Sequence, residues 1–95
     1  MRFPAVFEYT PDKAKIAAVR PRHRQYLTGL LHQGKLLAAG PLDDDAGALI
    51  IYEADSRAAA ETLIQNDPFF QEGVMVKYQL FAWKPVLANR SLLPE

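Results

Sequence analysis

Residues 35–54 read KLLAAGPLDDDAGALIIYEA, two apolar runs separated by an acidic turn. The first run, 35–42, ends at Gly40-Pro41, and the second, 48–54, is rich in β-branched and aromatic residues, as strands are. Between them Asp43 to Gly47 has turn chemistry. The stretch therefore predicts two strands joined as a hairpin. Leu36 beside Leu37, and Ile50 beside Ile51, put apolar side chains on both faces of each strand. An antiparallel sheet with one face in water alternates more cleanly than this.

Working outward, residues 2–9 place Phe3, Ala5, Phe7 and Tyr9 at period two, a further strand. Pro4 suggests that it lies at an edge or starts pairing late. Residues 12–33 are helical in pattern but interrupted by Pro21, which removes a donor and is at home in a first helical turn. The spacing predicts a short helix near 12–19, a main helix from Pro21 to Gln33 and a stop at Gly34. On the other side of the hairpin, Asp55 or Ser56 caps a helix over 57–66. Asn66-Asp67-Pro68 ends it, Pro68 to Glu72 makes one more turn, and 74–83 form the fourth strand, with Val74, Val76, Tyr78 and Leu80 on one side and Met75, Phe81 and Trp83 on the other.

The order β-α-β-β-α-β is the ferredoxin-like arrangement of the α+β class, a four-stranded antiparallel sheet with helices on one face. Two helices cover one face only, so the surplus apolar residues predict a second subunit on the other. Two such sheets would form a homodimeric α+β barrel. Residues 1–86 are read as the domain and 87–95 as a C-terminal extension.

With 95 residues the chain suits one domain. It has 11 basic and 11 acidic side chains, and this balance argues against nucleic acid as the main partner. No cysteine is present, which excludes a disulfide framework and thiolate chemistry. No run approaches the roughly 20 apolar residues of a membrane span, so a cytoplasmic protein without a membrane partner is expected.

Of the two histidines, His23 falls on the helix side that carries Leu27 and Leu30, and so faces the sheet. His32, nine residues on, is about 180° away and faces solvent. The two cannot share a metal, and no metal site or cofactor is expected. His23 reads either as a half-buried ring bonded to backbone or as a general acid–base at a cleft edge. Asp67 could orient it, but Asp67 before Pro68 fits a helix cap, the reading the residues themselves favour, and the two roles are compatible. Asp43, Asp44 and Asp45 lack the ligand spacing of a calcium loop and read as a solvated turn. Arg20, placed before the main helix where anions settle, is a candidate for an acidic substrate, whereas Arg22 and Arg24 read as surface charges. Gly40 would admit a ligand close to the backbone, or kink the strand before Pro41. Tyr26, Tyr52, Phe69 and Trp83 are core or interface residues that could also line a pocket.

The RPRH segment at 20–23, the GKLLAAGP run at 34–41 and the DPF segment at 67–69, in this order, resemble the YCII-related (YciI-like) family over most of residues 2–85. The resemblance implies a dimeric α+β barrel and an active site around a histidine–aspartate pair. By position these are His23 and Asp67, with Arg20, Gly40 and Pro41 also on motif positions, and Tyr26 and Phe69 are added as substrate-lining candidates. The expected function is a cofactor-free enzyme, a lyase or isomerase, that moves a proton on a small cyclic or aromatic oxygenated metabolite. The alternative is a non-catalytic module that binds a metabolite or a protein.

Overall fold

A computed structural model describes residues 1–89 and 91 of the chain; residues 90 and 92–95 of the expected extension lie outside the described residues. Strand β1 (Arg2–Tyr9) leads into helix α1 (Lys13–His32), followed by β2 (Leu36–Pro41), β3 (Gly47–Glu53), α2 (Arg57–Gln65), the single turn α3 (Pro68–Gln71) and β4 (Met75–Leu80). The strands form one antiparallel sheet in the order β2-β3-β1-β4, with the helices on one face. The ferredoxin-like expectation holds.

Two local expectations fail for identifiable reasons. Helix α1 is continuous through Pro21 rather than broken there. Ala17, whose carbonyl loses its partner to the proline, and Pro21 itself are both exposed, so water can serve the orphaned carbonyl. Arg20 therefore sits mid-helix, and the helix-start argument for anion binding lapses. Strand β1 is interior, not an edge. Pro4 is tolerated because N and O of one strand residue point the same way. Its carbonyl accepts from Phe81 N–H at 2.9 Å, beyond the regular end of β4 at Leu80, so the missing donor leaves no ladder bond broken within β4.

The fourth strand is also shorter than 74–83, and its faces differ from the plain alternation expected. A bulge where β1 pairs with β4, between Glu8 and Tyr9, sets Met75 opposite Tyr9 and Tyr78 opposite Phe7. Met75 is thereby buried on the helix side, while Val76 is turned out. The core on that side is Phe3, Phe7, Ile16, Leu30, Ile50, Ile64 and their neighbours.

Local chemistry fixes the ends. Asp12 caps α1 by accepting from Lys15 N–H, and Ser56 caps α2 through Ala59 N–H. Gly34, at φ +75°, ends α1 with paired bonds from Gly34 N–H to the Leu31 carbonyl and from Lys35 N–H to that of Leu30. Gly47 is a steric requirement: a Cβ there would stand 1.8 Å from the Phe7 carbonyl oxygen across the β1–β3 pair.

Candidate functional site

Asp67 begins α3. Its Oδ1 accepts from Phe69 N–H at 2.9 Å, and Pro68 occupies the first helical position. The carboxylate is fully buried, and its second task is to receive His23: Nδ1 lies 2.7 Å from Oδ1 and 3.0 Å from Oδ2. The capping and orienting readings of Asp67 are therefore both realised by one side chain. A carboxylate only accepts hydrogen bonds, so Nδ1 carries the hydrogen, and in its neutral form the ring presents its lone pair at Nε2. That atom has no partner among the described residues, and His23 lines a cleft of about 530 Å³.

The ring is fixed in a second way. Phe69 stacks on His23 with centroids 3.8 Å apart and planes within 6°, and Tyr9 meets Phe69 edge-on at 5.3 Å. One bond sets where the imidazole points and the stack sets its plane. Both come from the same short turn, because α3 delivers Asp67 and Phe69 two residues apart.

The cleft opens between α1 and the edge strand β2, in the volume range of small-molecule sites. Arg20, Gly40, Pro41 and Phe69 line it. Asp67 does not; it stands behind His23 as a positioning group. Tyr26 is also not among the lining residues: its hydroxyl donates to the Leu63 carbonyl at 2.6 Å, tying α1 to α2. Arg20 bonds Asp45 at 2.8 Å, and the Lys13 ammonium bonds the Asp44 carbonyl. The acidic turn is thus docked on α1 rather than freely solvated. A Cβ on Gly40 would meet nothing within 4 Å, so no contact within the chain demands glycine there. No group of acidic and histidine residues suited to a metal occurs among the described residues.

Tyr9 and Arg24 line the cleft and were not anticipated. Tyr9 is the last core-facing position of β1, and Arg24 lies four residues after Arg20; strand phase and helix spacing were the available signals. Burial, reinforced by the Asp67 charge, pushes the phenols of Tyr9 and Tyr26 up to about 12 and that of Tyr52 still further. The Tyr52 hydroxyl is sealed in the core without a hydrogen-bond partner among the described residues.

A family model described as "YCII-related domain" matches residues 1–84. No curated protein is significantly similar to the chain. Among solved structures, the 5-chloro-2-hydroxyhydroquinone dehydrochlorinase of Burkholderia phenoliruptrix AC1100, in complex with 2,5-dihydroxybenzoquinone, is 26% identical with a TM-score of 0.77 over 88% of this chain and 94% of that one. A muconolactone isomerase is 15% identical, TM-score 0.69, over 94% and 96% of the two chains. An antibiotic biosynthesis monooxygenase is 18% identical, TM-score 0.52, over 88% and 98%. The last two show the shared fold.

Two predictions follow from this geometry. Asp67→Ala strands the Phe69 N–H and the imidazole Nδ1–H in the core and should cost about 3 kcal/mol or more, against about 1 kcal/mol for Asp67→Asn, which can still cap; urea unfolding measures both, and equal costs would remove the dual role. A phenol whose pKa is raised by folding stabilises the fold fully below its unfolded value near 10 and ceases to as pH climbs through the folded one. Stability should therefore be lost between pH 10 and 12, with phenolate absorbance rising alongside unfolding. Tyr52→Phe should move that loss to higher pH and, by deleting an unpaired hydroxyl, raise stability at pH 7 by about 1 kcal/mol.

Proposed function

The chain belongs to the YCII-related domain family, and we propose that it is an enzyme in which His23 moves a proton on a small cyclic oxygenated compound, with no cofactor. The observation that carries this reading is the division of the imidazole: Nδ1 is held by the sealed Asp67 carboxylate, and Nε2 is left for the cleft. A histidine that served only packing would gain nothing from an unpaired nitrogen beside a cavity of metabolite size.

The chemistry is that of a general base. His23 Nε2 takes a proton from an acidic C–H or O–H of the ring, and Asp67 stabilises the imidazolium that results. The released electron pair either expels a leaving group, which is elimination, or shifts a double bond and recovers the proton at another atom, which is isomerisation. Neither route needs an oxidant or reductant. The 26%-identical dehydrochlorinase, found with a dihydroxyquinone, supports elimination from an oxygenated ring. The cleft walls suit such a ring, with Phe69, Leu27 and Ile50 along them.

The sheet face away from the helices supports a homodimer. Val6, Leu49, Phe81 and Trp83 are exposed there at 42, 42, 46 and 40%; Val6 pairs with Leu49, and Phe81 and Trp83 follow the end of β4 beside Pro4 and Arg2. Such a patch is more than a solvated sheet carries, and a second copy of the same face would cover it.

On chlorinated hydroxyhydroquinone and on unsaturated lactones, His23→Asn, which keeps an N–H donor for Asp67 but no base for the cleft, should lower turnover by at least about a hundredfold while circular dichroism stays unchanged. Wild-type turnover by that variant, on whichever compound the native protein converts, would defeat the assignment. Sedimentation should give twice the chain mass of 10.7 kDa, and Leu49→Asp should halve it; a wild-type monomer would leave the apolar face unexplained and end the dimer proposal.

A further inference from the structure

The cleft side of α1 is a stripe of Arg20, His23, Arg24, Leu27, Thr28 and Leu31, the spacing of one helix face. Its first half is cationic and its second half largely apolar. Leu31 remains 50% exposed at the far end. No acidic residue lines the cleft among the described residues. The cavity therefore has two ends of different chemistry, and a ligand that fits both has an acidic oxygen at one end and an apolar body at the other.

The two arginines are not equivalent. Arg20 is already matched to a carboxylate, Asp45, at 2.8 Å with both side chains partly buried. Arg24 bonds no carboxylate among the described residues. The Tyr9 hydroxyl, in the same lining, has no hydrogen-bond partner among them, yet it is not sealed off as the Tyr52 hydroxyl is. The Arg20 charge, and less strongly that of Arg24, favours the Tyr9 phenolate. Burial outweighs this, so Tyr9 stays a neutral donor at pH 7.

Resting on the reading of His23 as the working base, we propose that Arg24 and the Tyr9 hydroxyl, which line the same cleft, hold an anionic oxygen of the substrate. The two residues then select a ring compound ionised as a carboxylate, phenolate or enolate over its neutral counterpart. A guanidinium supplies charge and paired donors, and the phenol adds one neutral donor. Holding the anion at the His23 end places the ring over the Phe69–His23 stack, with its apolar edge toward Leu27 and Leu31.

The test uses the full chain, isothermal titration calorimetry at pH 7 and low salt, and two probes. One is 2,5-dihydroxybenzoquinone, whose enols are ionised at that pH; the other is its neutral dimethyl ether. Arg24→Gln should weaken the ionised probe by about tenfold or more and the ether by less than about twofold. Tyr9→Phe should weaken the ionised probe by about threefold, in line with one neutral hydrogen bond. Arg24→Lys should recover part of the loss, and Arg22→Gln, outside the cleft, should change neither probe. The proposal is overturned if Arg24→Gln binds the ionised probe as the wild type does, if it weakens both probes equally, or if the wild type binds neither. Turnover separates this from the base assignment: anion selectivity through Arg24 without His23-dependent turnover would sink only the chemistry, and His23-dependent turnover indifferent to Arg24 would sink only the anion site.

Discussion

The buried carboxylate of Asp67 is the constraint on which the site rests. A fully enclosed anion is costly unless each oxygen finds donors, and here the donors are a backbone amide of α3 and the imidazole of α1. Satisfying that charge brings together two segments 44 residues apart in sequence and leaves the histidine a single orientation. Packing alone would not do this, since Leu or Met in place of His23 could fill the same space. The polar pair gives the core a direction as well as a density, in the sense that buried polar groups specify arrangement more than they add stability.

The rest of the fold can be followed from that point. Helix α2 stops at Gln65, and the single turn of α3 carries the chain back under α1, with Asp67 and Phe69 arriving on the same side. Helix α1 packs against both α3 and β2, but β2 is an edge strand, and the seam between it and α1 is where the cleft opens. The acidic turn after β2 closes one end of the seam by its bonds to Lys13 and Arg20. Asp44 and Asp45 both sit at positive φ, 61° and 53°, a conformation that aspartate tolerates better than most side chains. The run of three aspartates is thus compatible with the turn's backbone, and one of them also matches the charge of Arg20.

Much of this was legible in the sequence because it depends on local rules. The period-two and helical patterns, the turn residues and the Gly34 stop each follow from a few neighbouring residues, and together they determine the topology. What was less legible depends on the far side of a contact. Pro21 reads as a helix break because its local cost is certain, whereas the exposure of Ala17 that makes the break unnecessary is a tertiary fact. The bulge opposite Glu8 and Tyr9 inverts the expected facing of Met75, and nothing in VMVKYQLFAW announces it. His23 and Asp67 could be nominated from phase and from the family-like segments, yet their distance could not. Arg24 shares the helix face of Arg20 and Leu27, but helix spacing does not tell whether that margin of the face meets bulk water or the mouth of a cleft.

The two faces of the sheet impose opposite demands. On the helix side, apolar residues must be covered completely enough to desolvate Asp67, because water at that carboxylate would weaken its hold on His23. Across the same strands, the intervening positions carry Val6, Leu49, Phe81 and Trp83 toward solvent. Period two forbids a strand residue from serving both sides, so the apolar residues of the outer face contribute nothing to enclosing the site within one chain. They would contribute to a pair of chains, and Gly40 fits the same logic: it pairs with outward-facing Leu49, and its missing side chain relieves no clash inside the chain.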